Sequence, residues 1–345
     1  LITLLEDTGY MARISFLSDK LMRKVGLNGK SVMPMISGFA CAVPAIMSAR
    51  NIENKKERLL TILVTPFMSC SARLPVYTIL ISLVIDNTMY FGFLSLQGLV
   101  MMALYLLGIV MALLASFILK LFIKIKEKSY FILELPVYRA PRWGNVGMTM
   151  IQKAKIFVVD AGKVIMMISL LLWFLSSYGP DTKMKQLDAQ YALAIKANPT
   201  QEAQLEKQYN TDKLANSYAG ILGKKIEPII KPLGYDWKIG IALITSFAAR
   251  EVFVGTMATL YSVEEDNNSS LREKLRASVW PDGKPVYSLA TALSLMVFYV
   301  LAMQCMSTLA IVKRETGTWK WPTIQFFMMT GLAYLLSWLT YVIAK

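Results

Sequence analysis

The sequence predicts an all-α, polytopic membrane protein in which some transmembrane helices are interrupted or re-entrant. Of its 345 residues, 55% are hydrophobic and 17% are charged, and the mean hydropathy is +0.46. A transmembrane helix needs about 20 apolar residues, and the clearest apolar runs are 94–118, 164–178, 289–312 and 323–344. Glycine and proline interrupt other apolar runs, and a broken backbone persists at membrane depth only where it lines a cavity or is buried in protein. The alternative, a soluble helical bundle, fits this composition poorly.

The charge balance indicates membrane topology rather than nucleic-acid binding. The net charge is +14 and the pI is about 9.5, values that in a soluble protein suggest a nucleic-acid partner. Here the basic residues cluster in short segments between apolar runs, as the positive-inside rule expects, so no nucleic acid is predicted. The chain has no histidine, which excludes a histidine-based metal site, and its three cysteines give no disulfide framework. It begins with leucine and lacks a signal-peptide pattern, so we expect a fragment of a longer protein.

The basic residues also assign the sides of the membrane. Residues 120–155 hold eight basic and two acidic residues and are therefore predicted to be cytoplasmic. The same holds for 50–58, with four basic and two acidic residues, and for 313–321, with a net charge of +2. Residues 181–236, with eight basic and seven acidic residues, and 262–285, with four and five, lack this excess and are predicted to lie outside.

Two apolar segments then begin and end on one side of the membrane. Residues 31–49 have both ends inside, and residues 237–261 have both ends outside. Each is predicted to be a re-entrant hairpin or a pair of half-helices, because a full crossing would break the charge bias. The chain accordingly divides into a first repeat with its following membrane helices (1–178), a polar extracytoplasmic connection (179–236), and a second repeat with the C-terminal helices (237–345).

An internal repeat supports this division. A shift of 208 residues aligns residues 9–44 with 217–252 without gaps and puts Tyr10 on Tyr218. After a further insertion, residues 67–74 align with 302–309. The paired elements enter from opposite sides of the membrane, which predicts an inverted topology, and such repeats place a transporter's site near the midplane. The stretch 37–77 and its second copy are predicted to form the path of a small cation.

Sulfur and hydroxyl side chains mark the interrupted stretches. Thiols, thioethers and hydroxyls on unwound backbone suit Fe(II), Cu(I) or Zn(II) better than Na⁺ or Mg²⁺. The predicted metal ligands are Cys41, Met68, Ser69, Cys70, Ser71, Glu251, Met303 and Cys305. For any single cysteine the alternative is ordinary packing, since a free cysteine is usually a small core residue.

Two charged residues, Arg250 and Glu251, lie inside an apolar segment, where charges are costly and are usually functional or paired. Glu251 either contributes to cation binding or neutralises Arg250 or Arg73. Residues 29–31, Gly-Lys-Ser, resemble the end of a phosphate-binding loop, but Lys24 stands where its first glycine belongs and no strand is predicted before it. No nucleotide site and no enzymatic activity are therefore expected in this chain.

Six motifs closely resemble the membrane domain of the prokaryotic ferrous iron transport protein B family. They are LEDTGYMARISFLSDKLMRKVGLNGKS, SGFACAVPAIMSAR, PFMSCSARLPVY, LELPVYRAP, PLGYDWKIGIALITSFAAREVFVGT and KRETGTWKW. The resemblance implies two gate-type repeats and uptake of Fe²⁺, the transported substrate, across the bacterial inner membrane. It implies as partners the lipid bilayer, the cytosolic N-terminal GTPase domain of the full-length protein and small cytosolic accessory proteins. A homo-oligomer is left open.

By this resemblance, Cys41 and Cys305 match the family's gate cysteines, Cys70 a third motif cysteine, and Glu251 the acidic residue of the second gate. One departure is Gln304, because the family often has proline before the second gate cysteine. This departure weakens the case for a sharply broken helix at Cys305.

Two further hypotheses remain. The gate repeat is also associated with nucleoside transporters, so the chain could instead be part of a cation-coupled carrier of a nucleoside-like solute. Arg250, Glu251 and Gln304 would then bind the solute, and the cysteines would only pack. In the third hypothesis the chain is a membrane interaction module whose helix breaks are packing kinks.

Overall fold

Helices dominate the fold, as predicted. The computed structural model describes residues 8–85, 88–90, 94–123, 138, 143–156, 159, 162–180, 185, 187, 190–191, 209, 212–213, 216–247, 250, 252–261, 268–279, 283, 285–303 and 305–345. The first helices are α1 (Tyr10–Lys24), α2 (Val32–Gly38), α3 (Ala42–Ser48), α4 (Lys55–Val64) and α5 (Leu74–Val84). A short antiparallel ribbon of β1 (Met89–Tyr90) and β2 (Leu94–Ser95) precedes α6 (Leu96–Ile123), α7 (Trp143–Ile156) and α8 (Gly162–Ser177). The remaining helices are α9 (Tyr218–Ile230), α10 (Trp237–Thr245), α11 (Val252–Leu260), α12 (Asn268–Arg276), α13 (Leu289–Leu301), α14 (Met306–Thr316) and α15 (Lys320–Ala344).

The described residues contain four segments that are long and apolar enough to cross a membrane: Lys55–Val84, Leu96–Ile123, Leu289–Thr316 and Lys320–Ala344. The predicted multi-pass α-helical class is therefore confirmed. Two of these segments are interrupted, the first between α4 and α5 and the third between α13 and α14. Helix α8 overlaps the predicted run at 164–178, and its 16 residues make it shorter than any of these four segments.

The chain folds into two compact units, each assembled from separate stretches. Unit 1 comprises Leu1–Ala72, Ala103–Ile165 and Met306–Gly331. Unit 2 comprises Arg73–Met102, Met166–Cys305 and Leu332–Lys345. The division into three consecutive parts along the chain stays a prediction.

In unit 1 an apolar cluster packs α3, α4 and α14 together. It consists of Val43, Ile46, Ala49, Ile52, Ile62, Ile311 and Val312. At the edge of this cluster the Arg50 guanidinium donates from Nε to both carboxylate oxygens of Glu315, at 2.9 and 3.1 Å. This ion pair joins segments 50–58 and 313–321, which the charge bias assigns to the same side of the membrane.

In unit 2 the amphipathic helix α12 packs on α5. Its Leu271 and Leu275 are buried, and Arg276 Nε donates to the carbonyl of Leu83 at 2.9 Å. This carbonyl lies in the last turn of α5, where intrahelical donors run out. The contact joins the end of α5 to segment 262–285, and the charge bias assigns both to one side of the membrane.

The local structure agrees with the sequence repeat. Helices α1 and α9 begin at the aligned residues Tyr10 and Tyr218. Each is followed by a glycine in the left-handed region, Gly26 with φ +86° and Gly234 with φ +82°, a conformation that glycine adopts without a Cβ penalty. The repeat therefore has structural support at matched positions, while its inversion stays a prediction.

The aligned residues Asn28 and Asp236 likewise serve as helix caps. The Asn28 side chain accepts from Lys30 N at 3.2 Å, and that of Asp236 accepts from Ile239 N at 2.8 Å. Each side chain satisfies an amide at a helical start that has no intrahelical acceptor. Burial raises the pKa of Asp236, and the hydrogen bond from Ile239 N opposes this effect.

Candidate functional site

The first helix break of unit 1 lies between α2 and α3. Helix α2 ends at Gly38, and Cys41 is fully extended, with φ −157° and ψ 134°. Pro44 lies in the first turn of α3, where the missing amide hydrogen costs no intrahelical bond. The sequence therefore ends one half-helix and starts another within a few residues, as the half-helix prediction for 31–49 expected.

The second break of unit 1 lies between α4 and α5. Pro66 has no amide hydrogen, so the carbonyl of Ile62 loses its helical donor. Gln325 of α15 replaces that donor: its Nε2 donates to Leu63 O at 2.8 Å and to Ile62 O at 3.4 Å. The chain is extended at Met68, with φ −62° and ψ 132°, before α5 begins.

We expect Gln325→Leu to lower the free energy of unfolding by about 1–3 kcal/mol, because it leaves buried carbonyls without a donor. Gln152→Leu, on the exposed side of α7, is the matched control and should change stability by less than about 0.5 kcal/mol. Thermal unfolding of the full-length protein in detergent measures both. Equal unfolding temperatures for the two variants would contradict the proposed role of Gln325.

The two breaks of unit 1 contact each other. Ser71 N donates to Phe39 O at 2.9 Å, and Ser71 Oγ donates to Ala40 O at 3.1 Å. At Gly38 a Cβ atom would lie only 3.1 Å from Met68 Cβ, so the lack of a side chain there permits the close approach. We call this contact the unit 1 crossing and define it as residues 38–41 and 68–71.

Helix α6 packs against the unit 1 crossing. At Gly108 a Cβ atom would lie 2.9 Å from Ser69 Oγ and 3.3 Å from Phe67 O. Three residues earlier on α6, the Tyr105 ring stacks on Phe39, with centroids 6.1 Å apart. A small residue and an aromatic residue of one continuous helix therefore both contact the crossing.

The predicted ligands of unit 1 differ in exposure. Ser69 and Met68 are buried, Cys70 and Cys41 are half-buried, and Ser71 is exposed. Cys41 also packs against the apolar cluster of unit 1, so the packing alternative accounts for part of its environment. The structure places all five residues within the unit 1 crossing. Two of them, Cys41 and Cys70, are thiols on non-helical backbone.

Unit 2 contains the other pair of breaks. Helix α10 ends at Thr245 and α11 begins at Val252, while α13 ends at Leu301 and is followed by the extended residue Ala302, with ψ 143°. The hydroxyls of Thr245 and Thr256 lie 2.9 Å apart and link α10 to α11.

Arg250 connects these two breaks. Its guanidinium is buried and donates from Nη1 to Tyr299 O and from Nη2 to Ala302 O, both at 3.3 Å. These carbonyls lie at the end of α13, where helical donors are absent and positive charge is favourable. The helix thus ends before Cys305 without a proline, although Gln304 weakened the case for a break there, and Arg250 supplies the missing donors.

The structure describes only some of the predicted ligands of unit 2. Met303 is buried and Cys305 is half-buried, whereas Glu251 and Gln304 lie outside the described residues. In the part of the chain that the structure describes, no three cysteine, aspartate or glutamate side chains form a group that could hold a metal ion. The ligand set therefore stays a prediction.

Sequence reasoning missed the residues that hold the breaks together. The free carbonyl before Pro66 could be foreseen, but its partner Gln325 could not. Arg250 was recognised as a costly buried charge, yet its role as a helix cap carried no sequence signal. Gly108 gave no signal either, since a glycine in an apolar helix looks the same whether or not another segment approaches it.

Comparison with known proteins identifies the family. The Gate family model, described as nucleoside recognition, matches residues 1–84 and 158–319, and the model of the ferrous iron transport protein B C terminus matches residues 101–153. A protein of Leptospira biflexa named Fe(2+) transporter FeoB is 44% identical over 100% of this chain. The chain belongs to the ferrous iron transport protein B family. A second family member, from Methanocaldococcus jannaschii and of the same name, is 36% identical over 100% of the chain.

The chain spans about half the length of the curated relatives it matches, 47% of the Leptospira biflexa protein and 46% of the Methanocaldococcus jannaschii protein. No solved structure matches it significantly. The first Gate stretch contains both breaks of unit 1, and the second contains both breaks of unit 2. The resemblance seen in the sequence motifs is thereby confirmed at the level of the family.

Proposed function

We propose that this chain is the membrane-pore part of a GTPase-coupled protein that takes up Fe²⁺. The observation that carries the proposal is the unit 1 crossing, where two unwound segments with half-buried thiols, Cys41 and Cys70, are joined by Ser71. Relatives along the whole chain are named Fe(2+) transporters. Broken helices with polar groups at membrane depth are the usual way in which transporters bind ions.

At the unit 1 crossing, Fe²⁺ would exchange part of its water shell for protein ligands. Cys41 and Cys70 offer thiolates, Ser69 and Ser71 hydroxyl oxygens, and Met68 a thioether, a set that suits a borderline-soft divalent ion. The carbonyls of Phe39 and Ala40 accept from Ser71, and each keeps a second lone pair. Weak ligation by several groups lets an ion leave as well as enter.

In unit 2 the buried charge of Arg250 disfavours a cation near Cys305 and Met303. Glu251 follows Arg250 in the chain, and we propose that its carboxylate offsets this charge and so makes the second pair of breaks accessible to Fe²⁺. Two gate-type repeats, inverted relative to one another, would then each supply one weak ligand set. The matched caps and left-handed glycines of the two repeats support this assignment.

The test is anaerobic Fe²⁺ uptake by the full-length protein in proteoliposomes. We expect Cys41→Ser, Cys70→Ser and Cys305→Ser each to lower uptake about tenfold, which corresponds to about 1.4 kcal/mol of lost ligation. Met68→Leu, Met303→Leu and Glu251→Gln should have smaller effects. Met166→Leu, at an exposed methionine of α8, is the sulfur-removing control and should leave uptake unchanged. Wild-type uptake in all three cysteine variants would refute ligation by sulfur.

The remaining assignments concern the full-length protein. We propose that this chain itself binds no nucleotide and catalyses no reaction, and that a cytosolic GTPase domain in the other half of the protein controls the gates. A Porphyromonas gingivalis relative is named a fusion of Fe(2+) transport protein A and Fe(2+) transporter FeoB, which supports a small accessory protein as partner. We place the protein in the bacterial inner membrane.

A second candidate function is transport of a nucleoside-like solute, which the Gate family's description as nucleoside recognition favours. Anaerobic thermal-shift measurements with Fe²⁺ and with nucleosides distinguish the two. Stabilisation by Fe²⁺ alone supports the iron path, and stabilisation by a nucleoside alone supports the carrier. If neither ligand stabilises the protein, the chain acts as an interaction module and its breaks are packing kinks.

A further inference from the structure

Unit 2 contains a cavity that is separate from the helix breaks. Its volume is about 420 Å³, enough for a lipid headgroup. It is lined by Thr78, Ile79, Ile81 and Ser82 of α5, by Ser95, Gln97, Gly98 and Met101 at the start of α6, and by Arg272 of α12. The lining therefore combines apolar side chains with hydroxyls, an amide and a guanidinium.

The polar groups of the cavity lining are suited to an anion. Among the described residues of the lining, Arg272 is the charged one, and its guanidinium makes no ion pair with the described part of the chain. Ser95 Oγ accepts from Gly98 N, so its hydroxyl hydrogen remains available. Gln97 Nε2 donates one hydrogen to Ile85 O and keeps a second. These donors surround the first turn of α6, a 28-residue helix whose dipole also favours negative charge there.

The position of the cavity indicates where the anion comes from. Its walls are the last turns of one membrane-crossing segment and the first turns of the next, a level at which phospholipid phosphates lie. Immediately beyond it on α6, Leu99, Met102 and Leu106 are about half exposed, as expected for side chains that contact acyl chains. The charge bias assigns Arg272 to the outer side of the membrane.

We propose that this cavity binds an anionic phospholipid, with its phosphate on Arg272, Gln97 and Ser95 and its acyl chains along the exposed apolar face of α6. Arginine suits this ligand because its planar fork can donate two parallel hydrogen bonds to a phosphate. The lipid joins α12 to α5 and α6. Its loss loosens α12, whose Arg276 caps α5.

The test uses the full-length protein, delipidated in mild detergent, and its thermal unfolding midpoint. Dioleoyl phosphatidylglycerol should raise the midpoint by about 4 °C, whereas phosphatidylcholine or inorganic phosphate at equal concentration should raise it far less. Arg272→Gln should lose this rise, and Arg272→Lys, which keeps the charge but lacks the planar fork, should keep only part of it. Lys231→Gln, which removes an exposed positive charge of unit 2 outside the cavity, should keep all of it.

Three results would overturn the proposal: a full lipid response in Arg272→Gln, an equal response to phosphatidylcholine, or an equal response to inorganic phosphate. The last result would assign the cavity to a free anion. Gly98→Leu narrows the cavity and leaves Arg272 in place, so it should also lose the lipid response. If Arg272→Gln does not fold, Gly98→Leu tests the proposal in its place. A retained lipid response in Gly98→Leu would refute the site. None of these measurements depends on Fe²⁺ uptake.

Discussion

Arg250→Met should lower the free energy of unfolding by about 2–5 kcal/mol, because it leaves two buried carbonyls without donors. Methionine fills a similar volume, so the loss comes from the hydrogen bonds to Tyr299 O and Ala302 O and from the charge at the end of α13. Without the guanidinium, the segment that carries Met303 and Cys305 loses its anchor. We therefore expect Fe²⁺ uptake by the full-length protein to fall along with its stability.

Denaturant unfolding in detergent measures the stability loss, and Arg250→Lys is the informative companion variant. A lysine keeps the charge, but its single ammonium lacks the fork that reaches both carbonyls, so it should recover only part of the loss. Lys231→Met, at an exposed position of unit 2, should change stability by less than about 0.5 kcal/mol. If Arg250→Met is as stable as wild type, Arg250 does not cap α13.

Gly108→Ala should destabilise the protein by about 1–3 kcal/mol, the usual cost of inserting a methyl group into a tightly packed site. The new Cβ would lie 2.9 Å from Ser69 Oγ and 3.3 Å from Phe67 O. Ser69 is fully buried and has little room to move, so α6 or the unit 1 crossing must shift. Because the shift acts on the segment that carries Cys70, uptake of Fe²⁺ should fall more than stability alone accounts for.

Gly331→Ala is the matched control. It makes the same change in another long apolar helix, α15, but no neighbouring atom of the described residues lies within 4 Å of the new Cβ. Alanine is the better helix former, so this variant should be more stable than wild type by about 0.5–1 kcal/mol. Thermal unfolding of both variants separates helix propensity from contact. Similar shifts in the two would show that α6 does not press on the unit 1 crossing.

The positions of the breaks could be predicted because their causes are local. Gly38, Pro66 and Pro75 interrupt apolar runs. Proline inside a helix removes a hydrogen-bond donor, and in the first turn, where that donor is not needed, it favours the start of a new helix. The exception is the break before Cys305, for which the local signal is weaker because Gln304 stands where the family often has proline. That break depends on Arg250, 52 residues before Ala302, and the residues next to the break do not predict a partner so distant in the sequence.

The sequence by itself determined the all-α membrane class, the location of the broken helices in unit 1 and the family, since hydropathy, helix breakers and motifs are written in consecutive residues. Only the tertiary structure decided how the broken ends are satisfied: Ser71 bonds to Phe39 and Ala40, Arg250 to the end of α13, and Gln325 to a carbonyl 262 residues away. The reason is physical. Any nearby hydrogen-bond donor can satisfy a carbonyl that has lost its helical donor, and only the folded chain determines which donor lies next to it.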